Sequence, residues 1–230
     1  MRTPGLFFVA GLLGAAPAGC NGSSSSEKPA EVKSAATTTA AAAPEPPVSA
    51  ADGFDGGCKG PECVAKCDRL GRPQDCYNAG DAYRRGKDDV AASVPNAVKY
   101  LEKACAKKNS EGCFDLGHLY AVADKGVTQD VAKAITYLMS ACDYGRGQAC
   151  DELSKRAESG DGMAKDHPKA IGLLAKGCAA QDYQEWTCRA FKKAVDAKDA
   201  DALKAVEGWK TGCAAKEKAA CKGLERADLK

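Results

Sequence analysis

Five cysteine pairs recur along this chain in a near-constant period. The first members are Cys67, Cys105, Cys142, Cys178 and Cys213, spaced 38, 37, 36 and 35 residues apart, and the second members are Cys76, Cys113, Cys150, Cys188 and Cys221. A period of that size marks stacked supersecondary units, each of which completes its core only against the next. The chain therefore reads as a repeat protein.

Alignment on the first cysteine exposes a helix in every unit. Ala97, Ala134, Ala170 and Ala205 stand eight residues before it, Val98, Ile135, Ile171 and Val206 seven before, and Leu101, Leu138, Leu174 and Trp209 four before. Spacings of three, four and seven share one helical face, with alanine where two backbones approach closely. Ser93, Asp130, Asp166 and Asp201, twelve before the cysteine, are expected N-caps, and Pro95 and Pro168 fall in the first turn. This is helix B. A second amphipathic helix, helix A, follows the second cysteine, with Ala79, Leu116, Leu153, Phe191 and Leu224 three residues on and mostly small residues four on. Glycine-bearing loops at 123–127 and 159–163 join A to B, so each repeat is an antiparallel hairpin and the fold class is all-α.

The stretch LGHLYAVADKGVTQDVAKAITYLMSAC resembles a Sel1-like repeat, and the C-x7-C links resemble the bacterial cysteine-rich (Helicobacter cysteine-rich protein-like) subfamily. The likeness covers residues 58–230 in five registers. It implies an α-solenoid of disulfide-stapled Sel1-like (TPR-like) hairpins forming a right-handed superhelix. About four hairpins plus terminal capping helices would fill a domain over 57–230. The unit from Cys188 to Ala220 is shorter and looks degenerate, while Cys221–Lys230 and Cys58–Leu70 would cap the two ends.

In that frame each cysteine pair joins the end of helix B to the start of the next helix A. Closing a loop of about nine residues contributes about 2.5 kcal/mol. That matters where helices are rich in alanine and only 14 of 230 residues are aromatic. Zinc sites favour ligands two to four residues apart within a pair, and no C-x-x-C or C-x-x-C-H occurs, so neither a metal nor another cofactor is expected. Cys58 and Cys63 are the remaining two. They read as a sixth pair, with Cys63 and Cys67 on one helix face as the alternative.

Thirteen cysteines are many for a reducing cytosol, and their odd number points to the N-terminus. Met1 and Arg2 precede an apolar run, Gly5 to Ala18, too short to span a bilayer and ending at Cys20. This resembles a bacterial lipoprotein signal, which implies a signal peptide over 1–19 and a lipidated Cys20. Pro17 departs from the leucine usual there. Asn21 resembles lipoproteins sent on to the outer membrane. An ordinary secretory signal, leaving Cys20 as a spare thiol, is the alternative. Residues 20–56, rich in Ser, Ala and Pro, read as a disordered tether reaching about 30 Å. Ser25 and Lys28 match the S-x-x-K pattern of penicillin-recognising enzymes, but low-complexity sequence yields such matches by chance and S-D-N is absent.

Lys plus Arg (33) nearly balance Asp plus Glu (31), which argues against a nucleic-acid partner. His118 and His167 have no companion at metal-ligand spacing, and no catalytic motif identifies a nucleophile or base. The positive evidence is for binding. Positions one, two and five after the second cysteine leave the buried face of helix A and nominate Tyr77, Asp81, Phe114, Asp115, His118, Glu152 and Lys155. Packing of Tyr77 and Phe114 between adjacent hairpins is the alternative. The expected function is a protein–protein scaffold or adaptor in the periplasm, held to the outer membrane only through its lipid and docking an envelope protein or peptide. The family resemblance implies a second possibility, binding or weak hydrolysis of β-lactams or peptidoglycan fragments.

Overall fold

The computed structural model describes residues 57–123 and 126–229, all within one compact unit, Ala50–Lys230. The expected signal peptide, Cys20 and the tether lie outside the described residues. Among those described, ten helices and no strand occur. The B helices are α1 (Pro61–Leu70), α3 (Val94–Ala106), α5 (Val131–Asp143), α7 (His167–Ala179) and α9 (Ala200–Ala214). The A helices are α2 (Pro73–Arg85), α4 (Ser110–Val122), α6 (Gly147–Ser159), α8 (Glu185–Asp196) and α10 (Lys218–Arg226). In the regular repeats α2 packs along α3, α4 along α5 and α6 along α7.

Helix starts follow local chemistry. Asp130 and Asp166 cap α5 and α7, their carboxylates accepting from the backbone N–H of Lys133 and Lys169 at 2.9 Å. Ser93 occupies the N-cap of α3 without a side-chain bond. The expected cap Asp201 is corrected: Asp199 caps α9 and accepts from the N–H groups of Asp201 and Ala202. Only 197–199 separate α8 from α9, so α9 begins earlier than the repeat register predicts.

Helix ends follow backbone chirality. Gly86, Ala123 and Gly160 close α2, α4 and α6 in the left-handed region, with φ of 65°, 54° and 83°. A backbone bond then ties each loop to its helix A: Ser93 N–H to the Tyr83 carbonyl, Asp130 N–H to Tyr120 and Asp166 N–H to Ala157, at 2.8–3.0 Å.

The five periodic disulfides join Cys67–Cys76, Cys105–Cys113, Cys142–Cys150, Cys178–Cys188 and Cys213–Cys221, each between a B helix and the next A helix. Cys58–Cys63 is the sixth, at the start of α1. The B-to-A turns also touch one another. Gly147 N–H donates to the Asp182 carbonyl (2.8 Å) and Asp182 N–H to the Gly145 carbonyl (3.2 Å), an isolated parallel bridge between consecutive junctions.

Leu101, Leu116, Leu138 and Leu153 are fully buried and form the centre of the stack. Gly80 and Gly117 let that centre close, because a Cβ on either would meet the side chain of Leu101 or Leu138. Aromatic pairs reinforce two hairpins: Tyr83 stacks on Tyr100 at 5.6 Å and Tyr120 on Tyr137 at 5.7 Å. At the C-terminal end the pattern changes. α9 leans on α7 and α10 and only touches α8, around a core of Ile171, Phe191 and Val206. The Arg226 side chain on α10 seals this end by donating to the carbonyls of Cys178 and Ala180.

Candidate protein-docking face

The A helices carry side chains that link one repeat to the next. Arg84 of α2 lies 3.3 Å from Asp115 of α4, His118 of α4 lies 3.3 Å from Glu152 of α6, and the indole N–H of Trp186 on α8 donates to Asp151 of α6 at 3.2 Å. These contacts make one continuous face from α2 to α8.

At the α2 end, Asp81 is buried yet takes three cations: Arg84 at 2.8 Å, Arg85 at 2.7 Å and Lys87 at 2.7 Å. Burial pushes its pKa up, but the hydrogen bonds from Lys87 and Arg85 outweigh burial and hold it below the usual carboxylate range. Asp115 shows the opposite balance. Burial raises its pKa, and the attraction of Arg84 does not compensate. The approach of Arg84 to Asp115 lacks hydrogen-bond alignment, and Asp115 Oδ2 and Arg84 Nε have no hydrogen-bond partner among the described residues. Beside them Tyr77 is half-buried, and burial followed by the charges of Asp115 and Glu111 pushes its hydroxyl up to about 12.

In the middle of the face, Phe114 is only 7% exposed. Its ring meets His118 edge-on at 4.4 Å and lies under the Arg146 guanidinium at 5.2 Å. Phe114 and Asp81 were expected as surface residues; the structure instead buries both, Phe114 beneath His118 and Arg146 and Asp81 among the cations of its own repeat. Glu152 pairs with Arg156 as well as His118, and the exposed Lys155 pairs with the buried Asp151.

The residue that sequence periodicity missed is Trp186. Half of it is exposed, and its ring is anchored by the bond to Asp151. It stands two residues before Cys188, outside the positions one, two and five after the cysteine that were taken to face outward. Chemically the face offers an aromatic platform among alternating fixed charges. Among the described residues no cluster of His, Cys, Asp and Glu could hold a metal ion.

Two further sequence features lie elsewhere. His167, at the start of α7, bridges Glu158 (2.8 Å) and Asp199 (2.9 Å). Lys210-Thr211-Gly212 spells the K-T-G triplet of penicillin-recognising enzymes, but it is helical: Thr211 donates to the Glu207 carbonyl and Lys210 pairs with Glu207. The S-x-x-K match at Ser25 lies outside the described residues.

A Sel1 repeat model matches residues 73–109, 110–145 and 147–182, which are α2–α3, α4–α5 and α6–α7 with their links. Among solved structures, a Sel1 repeat protein from Oxalobacter formigenes is similar with a TM-score of 0.50 at 23% identity, over 65% of this chain and 60% of that one. A protective antigen of uropathogenic Escherichia coli, displaying an SLR fold, is similar with a TM-score of 0.52 at 20% identity, over 71% of this chain and 33% of that one. The chain thus spans less than two thirds of either protein, and at these identities the likeness concerns the fold alone. No curated protein matches the sequence. With three consecutive repeats matched in the register that the cysteines mark, residues 73–182 are an array of Sel1 repeats whose hairpins are joined by disulfides.

Proposed function

We propose that the A-helix face docks another protein, and that the repeats are the scaffold of an exported, lipid-anchored protein of the bacterial envelope. Sel1 repeats generally mediate protein–protein interaction. The observation that carries the reading here is Trp186. A half-exposed tryptophan held by a buried aspartate is a rigid anchor of the kind that dominates interface energetics. Lys155, bonded to the same Asp151, adds charge suited to a polar rim.

Six disulfides belong to an oxidising, extracytoplasmic environment. No described helix is long and apolar enough to cross a membrane. The signal-like residues 1–19, Cys20 and the tether over 20–56 supply the rest of the proposal: lipid holds the chain, and the tether carries the repeats to an envelope partner.

The test is site-specific photo-crosslinking in cells. A crosslinker at Lys155 should yield a discrete adduct, whereas one at Met139, exposed on helix B, should not. Trp186→Ala should abolish capture from position 155. Equal adducts from Met139 would overturn the face. Labelling with an alkyne fatty acid, lost in Cys20→Ala, tests the anchor separately.

A further inference from the structure

The turns from helix B to helix A border a cleft of about 510 Å³ on the edge of the stack where the disulfides lie. Four consecutive junctions contribute to it. Pro73 and Gln74 come from the first, Lys108 to Glu111 from the second, Tyr144 and Arg146 from the third, and Gln181 and Asp182 from the fourth. The volume falls within the range of about 300–1,000 Å³ usual for small-molecule sites. Trp186 is not on its walls, so this cleft is separate from the anchor of the A-helix face.

The charges on the walls cancel. Lys108 and Arg146 stand against Glu111 and Asp182, and the Arg146 guanidinium lies 2.6 Å from Asp182 and 3.7 Å from Glu111. Neither an anion nor a cation gains a net attraction there. Arg146 Nε and Asp182 Oδ2 are nevertheless buried without a hydrogen-bond partner among the described residues, a donor and an acceptor left over on adjoining side chains. Orphans of this kind call for a water or a ligand. The rest of the lining can donate and accept alike: the carboxamides of Gln74, Asn109 and Gln181 and the hydroxyls of Ser110 and Tyr144. Asn109 is held in place, accepting from Gly112 N–H and donating to Gln74, while Gln181 is exposed. Only Pro73 and Tyr144 are largely apolar, and Tyr144 is 37% exposed.

We infer that this cleft binds a neutral oligosaccharide. A sugar hydroxyl donates and accepts from one atom, so a row of them matches walls that present both kinds of group and carry no net charge. The exposed Tyr144 ring offers its face to the C–H side of a pyranose, and the carboxamides around it suit neighbouring hydroxyls. An extended peptide fits less well, because its specificity rests on pockets for alternate side chains, and these walls provide no apolar pocket. Packed helices lie about 8–10 Å apart. Walls drawn from four successive repeats therefore extend beyond a single ring, and affinity should grow with the length of the saccharide.

Isothermal titration calorimetry with the oxidised full-length protein tests this. The probes are the monosaccharides and linear tetrasaccharides of glucose, mannose and N-acetylglucosamine, with tetragalacturonate as the carboxylated control. At least one neutral tetrasaccharide should bind, about tenfold more tightly than its own monosaccharide and than tetragalacturonate. Tyr144→Ala should weaken that binding about tenfold, while Trp186→Ala leaves it unchanged. If circular dichroism shows that Tyr144→Ala does not fold, Gln181→Ala, at an exposed position on the opposite junction, should still cost about threefold. No binding of any neutral tetrasaccharide, equal binding of tetragalacturonate, or insensitivity to both cleft variants would overturn the proposal. None of these results bears on the crosslink from Lys155.

Discussion

Gly117 of α4 lies so close to Leu138 of α5 that a Cβ on the glycine would fall 2.8 Å from Leu138 Cγ. One repeat earlier Gly80 meets Leu101 in the same way, at 2.7 Å. Gly117→Ala should therefore destabilise by about 1–3 kcal/mol through overpacking, despite alanine's better helix propensity. Gly208→Ala is the control, because a Cβ there meets nothing within 4 Å in the middle of α9. It should stabilise by about 0.5–1 kcal/mol. Urea unfolding of both variants reads the two signs; a gain in Gly117→Ala would refute the close approach.

Lys108 sits in the left-handed region, with φ of 64°, between Cys105 and Cys113, where the junction between Cys142 and Cys150 has Gly145. Replacing Cys105 and Cys113 together by alanine should cost about 2.5 kcal/mol. Adding Lys108→Gly should return about 1 kcal/mol by relieving the left-handed backbone. Thermal denaturation under non-reducing conditions compares the double and triple variants. A triple variant less stable than the double would contradict the assigned strain.

His167 ties the end of α6 to the cap of α9. Hydrogen bonds to Asp199 and then Glu158 raise its pKa from 6.5 to about 9, and the same bond to His167 lowers that of Asp199. A raised histidine contributes stability that is complete below about 6.5 and is lost as pH climbs through about 9. The depressed aspartate contributes above its unfolded pKa and loses that contribution in acid. The melting temperature should therefore fall on the alkaline side in the wild type and less in His167→Gln, by a small amount because the site is exposed. Melting curves from neutral pH to about 10 check it; identical alkaline slopes would remove the bridge.

Arg226 holds the last helix to the end of α7 through the carbonyls of Cys178 and Ala180, with its guanidinium 3.8 Å over the Tyr183 ring. Arg226→Met keeps an apolar stem but removes both donors, at a cost of about 1–3 kcal/mol confined to this end. Hydrogen exchange should quicken in α10 and the end of α7 while α2 to α5 keep their protection, because a stacked repeat feels mainly its neighbours. Uniform quickening would show that the cap governs the whole stack.

The repeat architecture was legible because its signals are local. A cysteine period, apolar residues at helical spacing and the caps at Asp130 and Asp166 each act within a single turn or hairpin. Asp201 misled because a shortened connection moved the start of α9, and nothing inside α9 itself announces that. Phe114 and Asp81 leave the buried stripe of their own helices, yet neighbouring groups cover them. Their burial depends on residues about one repeat away, such as Arg146, and on the cations gathered around Asp81. Trp186 was hidden for the same reason, its meaning residing in Asp151. Burial between repeats is a tertiary property that helical periodicity alone does not encode.

Every disulfide among the described residues joins cysteines that are 5 to 10 residues apart in sequence. A chain threading through a pore into an oxidising space would therefore present each of these cysteines' correct mate as the next cysteine to emerge, and from Cys76 onward well before the next pair. First-come pairing and native pairing coincide. Maturation of this protein should depend on an oxidant and hardly at all on an enzyme that reshuffles mispaired thiols.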